Sequence, residues 1–151
     1  MRGIILQAKV LKIRLLFVII YFNDYSALPG VVGHPAEKAG NMTLVEFFDS
    51  DSIENVCAGL SLNPERIIFL GYSSEPMEKA VGRYRDLFAE RKMHPEFICR
   101  KVGRNNLNSI VSMLTGIVEK CSEENDGCVI DLTGGEDLYL VAAGMAAEKM
   151  S

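Results

Sequence analysis

Thr133-Gly134-Gly135 stands between Val129-Ile130-Asp131-Leu132 and a run that begins Glu136-Asp137-Leu138-Tyr139 and continues Leu140-Val141-Ala142-Ala143-Gly144. An apolar β-branched run, a tight turn and an Ala-rich run predict a strand, a turn and a buried helix. In open α/β sheets that junction lies at the carboxyl edge of the strand, where ligands bind. Glycines there admit a ligand close to the backbone, and the next helix offers its first N–H groups to an acceptor. Two more stretches have matching chemistry: Gly71-Tyr72-Ser73-Ser74 and Gly103-Arg104-Asn105-Asn106. Hydroxyls, amides, backbone N–H groups and one guanidinium suit phosphate oxygens, ribose hydroxyls and base edges. These loops carry no histidine, no cysteine nucleophile with a partner and no carboxylate cluster of metal-ligand form. The candidate ligand-binding residues are therefore Ser73, Ser74, Arg104, Asn105, Asn106, Thr133, Gly134 and Gly135, with no catalytic or metal-ligating residue assigned.

Each of these residues also has a plain structural reading. The Thr-Gly-Gly turn could serve only to turn a strand into a helix, and Ser73, Ser74, Asn105 and Asn106 could be helix caps. Glu136 and Asp137 complement a helix dipole and repel a phosphate at that helix end, which directs a base or ribose there and phosphates toward Arg104 or the serines. Asp131 reads as a loop-orienting acceptor, and Arg83, Arg85 and Arg91 as a solvated helix face.

The elements that must position these loops alternate regularly from Met42 onward. Residues 43–48 are strand-like, and Asp51-Ser52-Ile53-Glu54 has capping-box form ahead of a helix to about Ser61. Asn63-Pro64-Glu65 breaks that helix, and Arg66-Ile67-Ile68-Phe69-Leu70 has the continuous apolar pattern of a buried parallel strand. Met77, Ala80, Val81, Tyr84, Leu87 and Phe88 recur at helical spacing. Residues 96–102 alternate as a strand, and Leu107, Ile110, Val111, Leu114 and Ile117 mark the next helix. A polar loop over 122–127 precedes the strand 128–132 and a helix from Glu136. Four strand–helix units predict an α/β, Rossmann-like, mostly parallel sheet with helices on both faces. The last helix is apolar on nearly all sides and needs cover, which suggests a domain truncated at its C-terminus or one half of a dimer.

A chain of 151 residues fits one ordinary domain. Its 48% hydrophobic and 24% charged content is globular, and a net charge of -4 argues against broad DNA or RNA backbone binding. The four cysteines form no CxxC pair and there are only two histidines, which favours reduced thiols in a cytoplasmic protein over a zinc site or disulfide framework. Residues 1–41 do not match the rest. The apolar run from Leu15 is short of the roughly 20 residues a membrane helix needs, although a basic start and Ser26-Ala27 imitate a signal peptide. Codons for Ala39-Gly40-Asn41-Met42 can contain a ribosome-binding sequence, so translation from Met42 is the favoured expectation, with 1–41 an extension or mis-called start and 42–151 the domain. The alternative is that residues 13–22 add a strand to the sheet.

The strand-Asp131-Leu132-Thr133-Gly134-Gly135-helix unit, with Ile68-Phe69-Leu70-Gly71-Tyr72-Ser73-Ser74 upstream, resembles the CARF (CRISPR-associated Rossmann fold) domain. The likeness is to ancillary nucleases of type III CRISPR systems and covers about residues 43–150, the front of such a domain. It implies a homodimer that binds cyclic oligoadenylate, usually cyclic tetra-adenylate, through Thr133, Gly134, Gly135, Ser73 and Ser74. It also implies antiviral defence through an attached nuclease, no other cofactor, and no membrane or direct nucleic-acid contact by this domain. Many members continue with Thr-Lys where Glu136-Asp137 stand here, and no nuclease site is assignable in this chain. Two other readings remain open. Asp131-Leu132-Thr133-Gly134-Gly135 loosely resembles the S-adenosylmethionine loop of class I methyltransferases, but it follows the fourth expected strand and lacks Gly-x-Gly. The other is a structural half-domain without ligand. Gly134-Gly135-Glu136-Asp137 is also similar to the diguanylate cyclase signature, which sits on a hairpin instead.

Overall fold

The computed structural model describes residues 15–18, 41–48, 54–124 and 126–150. Its strands are β1 (Leu15–Val18), β2 (Met42–Phe47), β3 (Arg66–Gly71), β4 (Glu96–Lys101) and β5 (Gly127–Asp131). Its helices are α1 (Glu54–Leu62), α2 (Ser74–Glu90), α3 (Leu107–Glu123) and α4 (Asp137–Lys149). The strands form one parallel sheet in the order β1-β5-β2-β3-β4. This is the α/β, Rossmann-like architecture expected from the alternation of elements.

Strand alternation explains the two layers. Val45, Phe47, Ile68, Leu70, Cys128 and Ile130 face α3 and α4, while Leu44, Ile67, Phe69 and Val129 face α1 and α2. Because both faces are covered, the central strands read as largely apolar runs, with Glu46 in β2 and Asp131 at the end of β5 as charged exceptions. Edge strand β4 is only partly buried, with Glu96, Arg100 and Lys101 exposed, and such charges deter pairing with another chain. On α4, Tyr139, Ala142, Ala143, Ala146 and Ala147 are buried, and the alanines let α4 lie close to its neighbours. The expected all-round apolar helix thus resolves into a buried stripe and an outer side where Leu140 and Val141 are 43% and 53% exposed.

Several boundaries shift from the sequence expectation. Strand β3 takes in Gly71, α3 runs through Ser122 and Glu123, and α4 begins at Asp137 with Glu136 as its N-cap. The capping-box residues 51–53 lie outside the described residues. The largest difference concerns the N-terminal segment: Leu15–Val18 pairs in parallel with Cys128–Asp131, as the added-strand alternative proposed. The sheet is accordingly five-stranded among the described residues rather than four-stranded.

Chain direction places the site. Strands β2, β3 and β4 step successively toward one edge, and α3 then carries the chain back so that β5 lies on the other side of β2. The order reverses between β2 and β5, and in doubly wound sheets the crevice at such a reversal is where ligands bind.

Candidate functional site

The three loops singled out by sequence share the carboxyl edge of the sheet, because β3, β4 and β5 run parallel. Tyr72 ties them together. Its hydroxyl donates to Glu136 Oε2 at 3.2 Å, and the Arg104 guanidinium carbon lies 4.7 Å from its ring centroid. Its ring stacks on Tyr139 at 5.7 Å, and Tyr139 in turn packs on Phe47 at 4.3 Å. A ladder Phe47–Tyr139–Tyr72–Arg104 therefore crosses the edge from the buried end of β2 to an exposed cation. Burial raises the Tyr72 and Tyr139 phenol pKa values, with the Glu136 carboxylate adding to the effect at Tyr72 and the nearby Tyr72 hydroxyl at Tyr139. Both phenols remain neutral at physiological pH; Tyr72 acts as a hydrogen-bonding and stacking group, and Tyr139, whose buried hydroxyl has no partner among the described residues, as a stacking group.

Around that ladder the candidate residues divide by their local bonds. Ser73 occupies the N-cap of α2, yet its side chain makes no capping hydrogen bond, and Ser73 and Ser74 are both exposed. These hydroxyls are available to a ligand. Asn106 is committed differently: its Oδ1 accepts from the Ser109 N–H at 3.0 Å, which caps α3. Asn106→Ala is therefore expected to cost about 1 kcal/mol in urea unfolding without any ligand present, the usual loss for an N-cap. Asn105 holds φ at 56°, a left-handed conformation that asparagine tolerates better than most residues, and its side chain is exposed beside Arg104.

The Thr-Gly-Gly turn is packed against the chain itself. A Cβ on Gly134 would sit 3.0 Å from the Phe47 carbonyl oxygen. Gly135 has φ +88°, and a Cβ there would come within 2.8 Å of both Phe47 Cβ and Tyr139 Cδ2. Close approach to the Phe47 carbonyl is thus sufficient reason for Gly134, and close approach to Phe47 and Tyr139 for Gly135. Thr133, half-buried, is held by its own N–H, which donates to Asp131 Oδ1 at 2.8 Å. Asp131 orients the loop, as expected. Arg83, Arg85 and Arg91 are exposed, also as expected.

Beneath the turn lies a feature that the sequence reading missed. Glu46 on β2 and Asp131 on β5 are each 2% exposed on the α1/α2 side, where the order of the sheet reverses. Burial first, then the Asp131 carboxylate and a hydrogen bond to it, push the Glu46 pKa far above the usual carboxylate range. Burial and the neighbouring Asp131 carboxylate thus favour the protonated form of Glu46. Among the described residues, no N–H or hydroxyl reaches Glu46 Oε1 or Asp131 Oδ2. The available signal was a lone glutamate inside the Thr43–Phe48 apolar run. Tyr72 and Tyr139 were also unassigned, since an aromatic in a loop or on a helix face carries no spacing signature of its own.

Among the described residues, no group of three or more His, Cys, Asp or Glu side chains could hold a metal ion, and no helix is long and apolar enough to cross a membrane. No protein-family model matches this chain, and no curated protein sequence matches it. The arrangement of strands and loops accordingly carries the functional argument, at the level of a Rossmann-like α/β fold with a polar, aromatic-backed carboxyl edge.

Proposed function

We propose that this edge is a sensor site for cyclic oligoadenylate, with cyclic tetra-adenylate as its ligand, in a CARF-like domain. In this reading the domain acts as a cytoplasmic homodimer whose ligand state regulates an attached nuclease in CRISPR antiviral defence. The observation that carries the proposal is the convergence of three loops on Tyr72, with Arg104 over its ring and Glu136 on its hydroxyl. A planar aromatic with a guanidinium beside it suits a purine base and its phosphate. The exposed Ser73 and Ser74 hydroxyls add donors for phosphate oxygens, and Thr133 faces a ribose in this scheme. The acidic Glu136 and Asp137 keep phosphates toward the Arg104 side. Exposed Leu140 and Val141 on α4 give a second copy an apolar surface to bury.

The test is a thermal-shift comparison of cyclic tetra-adenylate with S-adenosylmethionine. At 100 times its dissociation constant a ligand stabilises by about 2.7 kcal/mol, which raises the Tm visibly. A shift with the cyclic nucleotide alone supports the sensor. A shift with S-adenosylmethionine alone overturns it in favour of a methyltransferase. Arg104→Ala is expected to weaken cyclic tetra-adenylate by at least about tenfold, because a hydrogen bond to a charged group is worth roughly 1.5–3 kcal/mol. Titration of the variant followed by fluorescence or calorimetry checks this value.

A further inference from the structure

On the α3 side of the sheet, a groove of about 460 Å3 runs between α3 and strands β3 and β4. Small-molecule sites typically span about 300–1,000 Å3. The groove exists because α3 leaves part of edge strand β4 uncovered: Ile98 is half-buried and Arg100 exposed. Ile68 and Ile98, paired in the sheet, give it an apolar floor, and Met113 and Ile117 of α3 give it an apolar wall. Gly116 stands in the same wall, and a Cβ there would meet nothing within 4 Å. The middle of the groove is therefore open. No aromatic side chain lines it among the described residues, in contrast to the Tyr72 edge.

Charge is unevenly distributed along this groove. Among the described residues its lining holds Arg66, Arg100 and Lys120 and no carboxylate. At the amino end of the strands, Arg66 is bonded to Glu96 at 3.2 Å and to Glu124 at 3.0 Å, and Lys120 lies 3.7 Å from Glu124. Those two cations are neutralised within the fold. At the carboxyl end, no carboxylate among the described residues pairs with Arg100. Ser109 and Ser112, near the start of α3, line the groove at that same end. The Ser109 Oγ accepts from the Gly103 N–H at 3.4 Å, which leaves its hydroxyl proton for another acceptor.

We infer that this groove binds an unbranched amphipathic carboxylate of the medium-chain fatty acid class, head on Arg100, Ser109 and Ser112, tail along Ile98, Ile68, Met113 and Ile117. A guanidinium with hydroxyls beside it satisfies both carboxylate oxygens. The tail covers apolar surface that α3 leaves to water, which is favourable in proportion to the area removed. Four residues of β4 separate Arg100 from the level of Arg66, about 13 Å of extended strand, and a chain of decanoate length fits that span. The neutralised far end calls for no second anionic group, so the ligand has one charged head and one apolar tail. A nucleotide base would find no ring to stack on here, which separates this site from the one proposed at the carboxyl edge.

The experiment titrates the full chain calorimetrically with decanoate, below the concentration at which it forms micelles, and with decanol, which has the same chain and no charge. The expected result is saturable binding of one decanoate per chain, with decanol at least about tenfold weaker, because hydrogen bonds to a charged group are the strong ones. Arg100→Gln is expected to bring decanoate down to the level of decanol. Gly116→Leu places a side chain in the open middle of the groove and is expected to abolish binding while the chain still melts cooperatively. Absence of saturable binding overturns the inference, as does decanol binding as tightly as decanoate, or undiminished binding by folded Gly116→Leu. Conversion of a dimer to a monomer by Gly116→Leu also overturns it, in favour of a second copy seated in the groove. If Gly116→Leu fails to fold, the decanoate–decanol comparison in wild type and Arg100→Gln still decides.

Discussion

Alanine at Gly135 is expected to destabilise the chain by on the order of 2–4 kcal/mol, from a strained left-handed residue combined with overpacking. The added methyl would enter the region around φ +88° that side chains rarely adopt, and it would lie 2.8 Å from Phe47 Cβ and Tyr139 Cδ2 at once. Neither neighbour yields cheaply, because Phe47 and Tyr139 are 1% and 2% exposed and pack on each other at 4.3 Å. Gly134→Ala meets only the Phe47 carbonyl at 3.0 Å and is expected to cost less. Urea unfolding of both variants without ligand checks the order. Wild-type stability in Gly135→Ala would mean that the turn is held for a ligand and not by its packing on Phe47 and Tyr139.

The second large effect belongs to Glu46. Its pKa in the folded protein is raised well above 4.5, so above that pH the unfolded chain releases a proton that the folded chain retains. The folded state then binds more protons than the unfolded state, and stability falls with rising pH until the raised folded pKa is passed. The slope approaches about 1.4 kcal/mol per pH unit for one such group. Glu46→Gln keeps an N–H donor for Asp131 and has nothing to ionise. Its stability relative to wild type is expected to climb as the pH rises above the ordinary carboxylate range, read from urea unfolding at fixed ionic strength. Parallel curves for the two proteins would show that Glu46 is ionised in the folded state.

The strand–helix order was legible because apolar periodicity is set by burial, and this sheet is buried on both faces. Residues 66–70 and 128–131 announced themselves as β-branched runs, and the spacing of Met77, Ala80, Val81 and Phe88 marked the buried face of α2. The convergence of the three loops followed from parallel strands alone. What joins those loops did not. Tyr72 reaches Glu136 across 64 positions of sequence, and its contacts with Arg104 and Tyr139 are also non-local. Glu136 read as a charge near a helix dipole, whereas its carboxylate fixes the Tyr72 hydroxyl. The Gly-Gly pair shows a different ambiguity, since room for a ligand and room for Phe47 and Tyr139 call for the same residue type. Glu46 was hidden inside an apolar run, and only its nearness to Asp131 across the sheet gives it meaning. The pairing of Leu15–Val18 with β5 was likewise one of several readings of a short apolar segment, and it shows only in the order of the strands.

Isothermal titration of the full chain with cyclic tetra-adenylate tests the central claim most directly, with Arg104→Ala titrated in parallel. Saturable binding of one ring per two chains is expected, with affinity at least about tenfold weaker in the variant. Absence of binding by the folded wild-type chain, or equal affinity in Arg104→Ala, would contradict it.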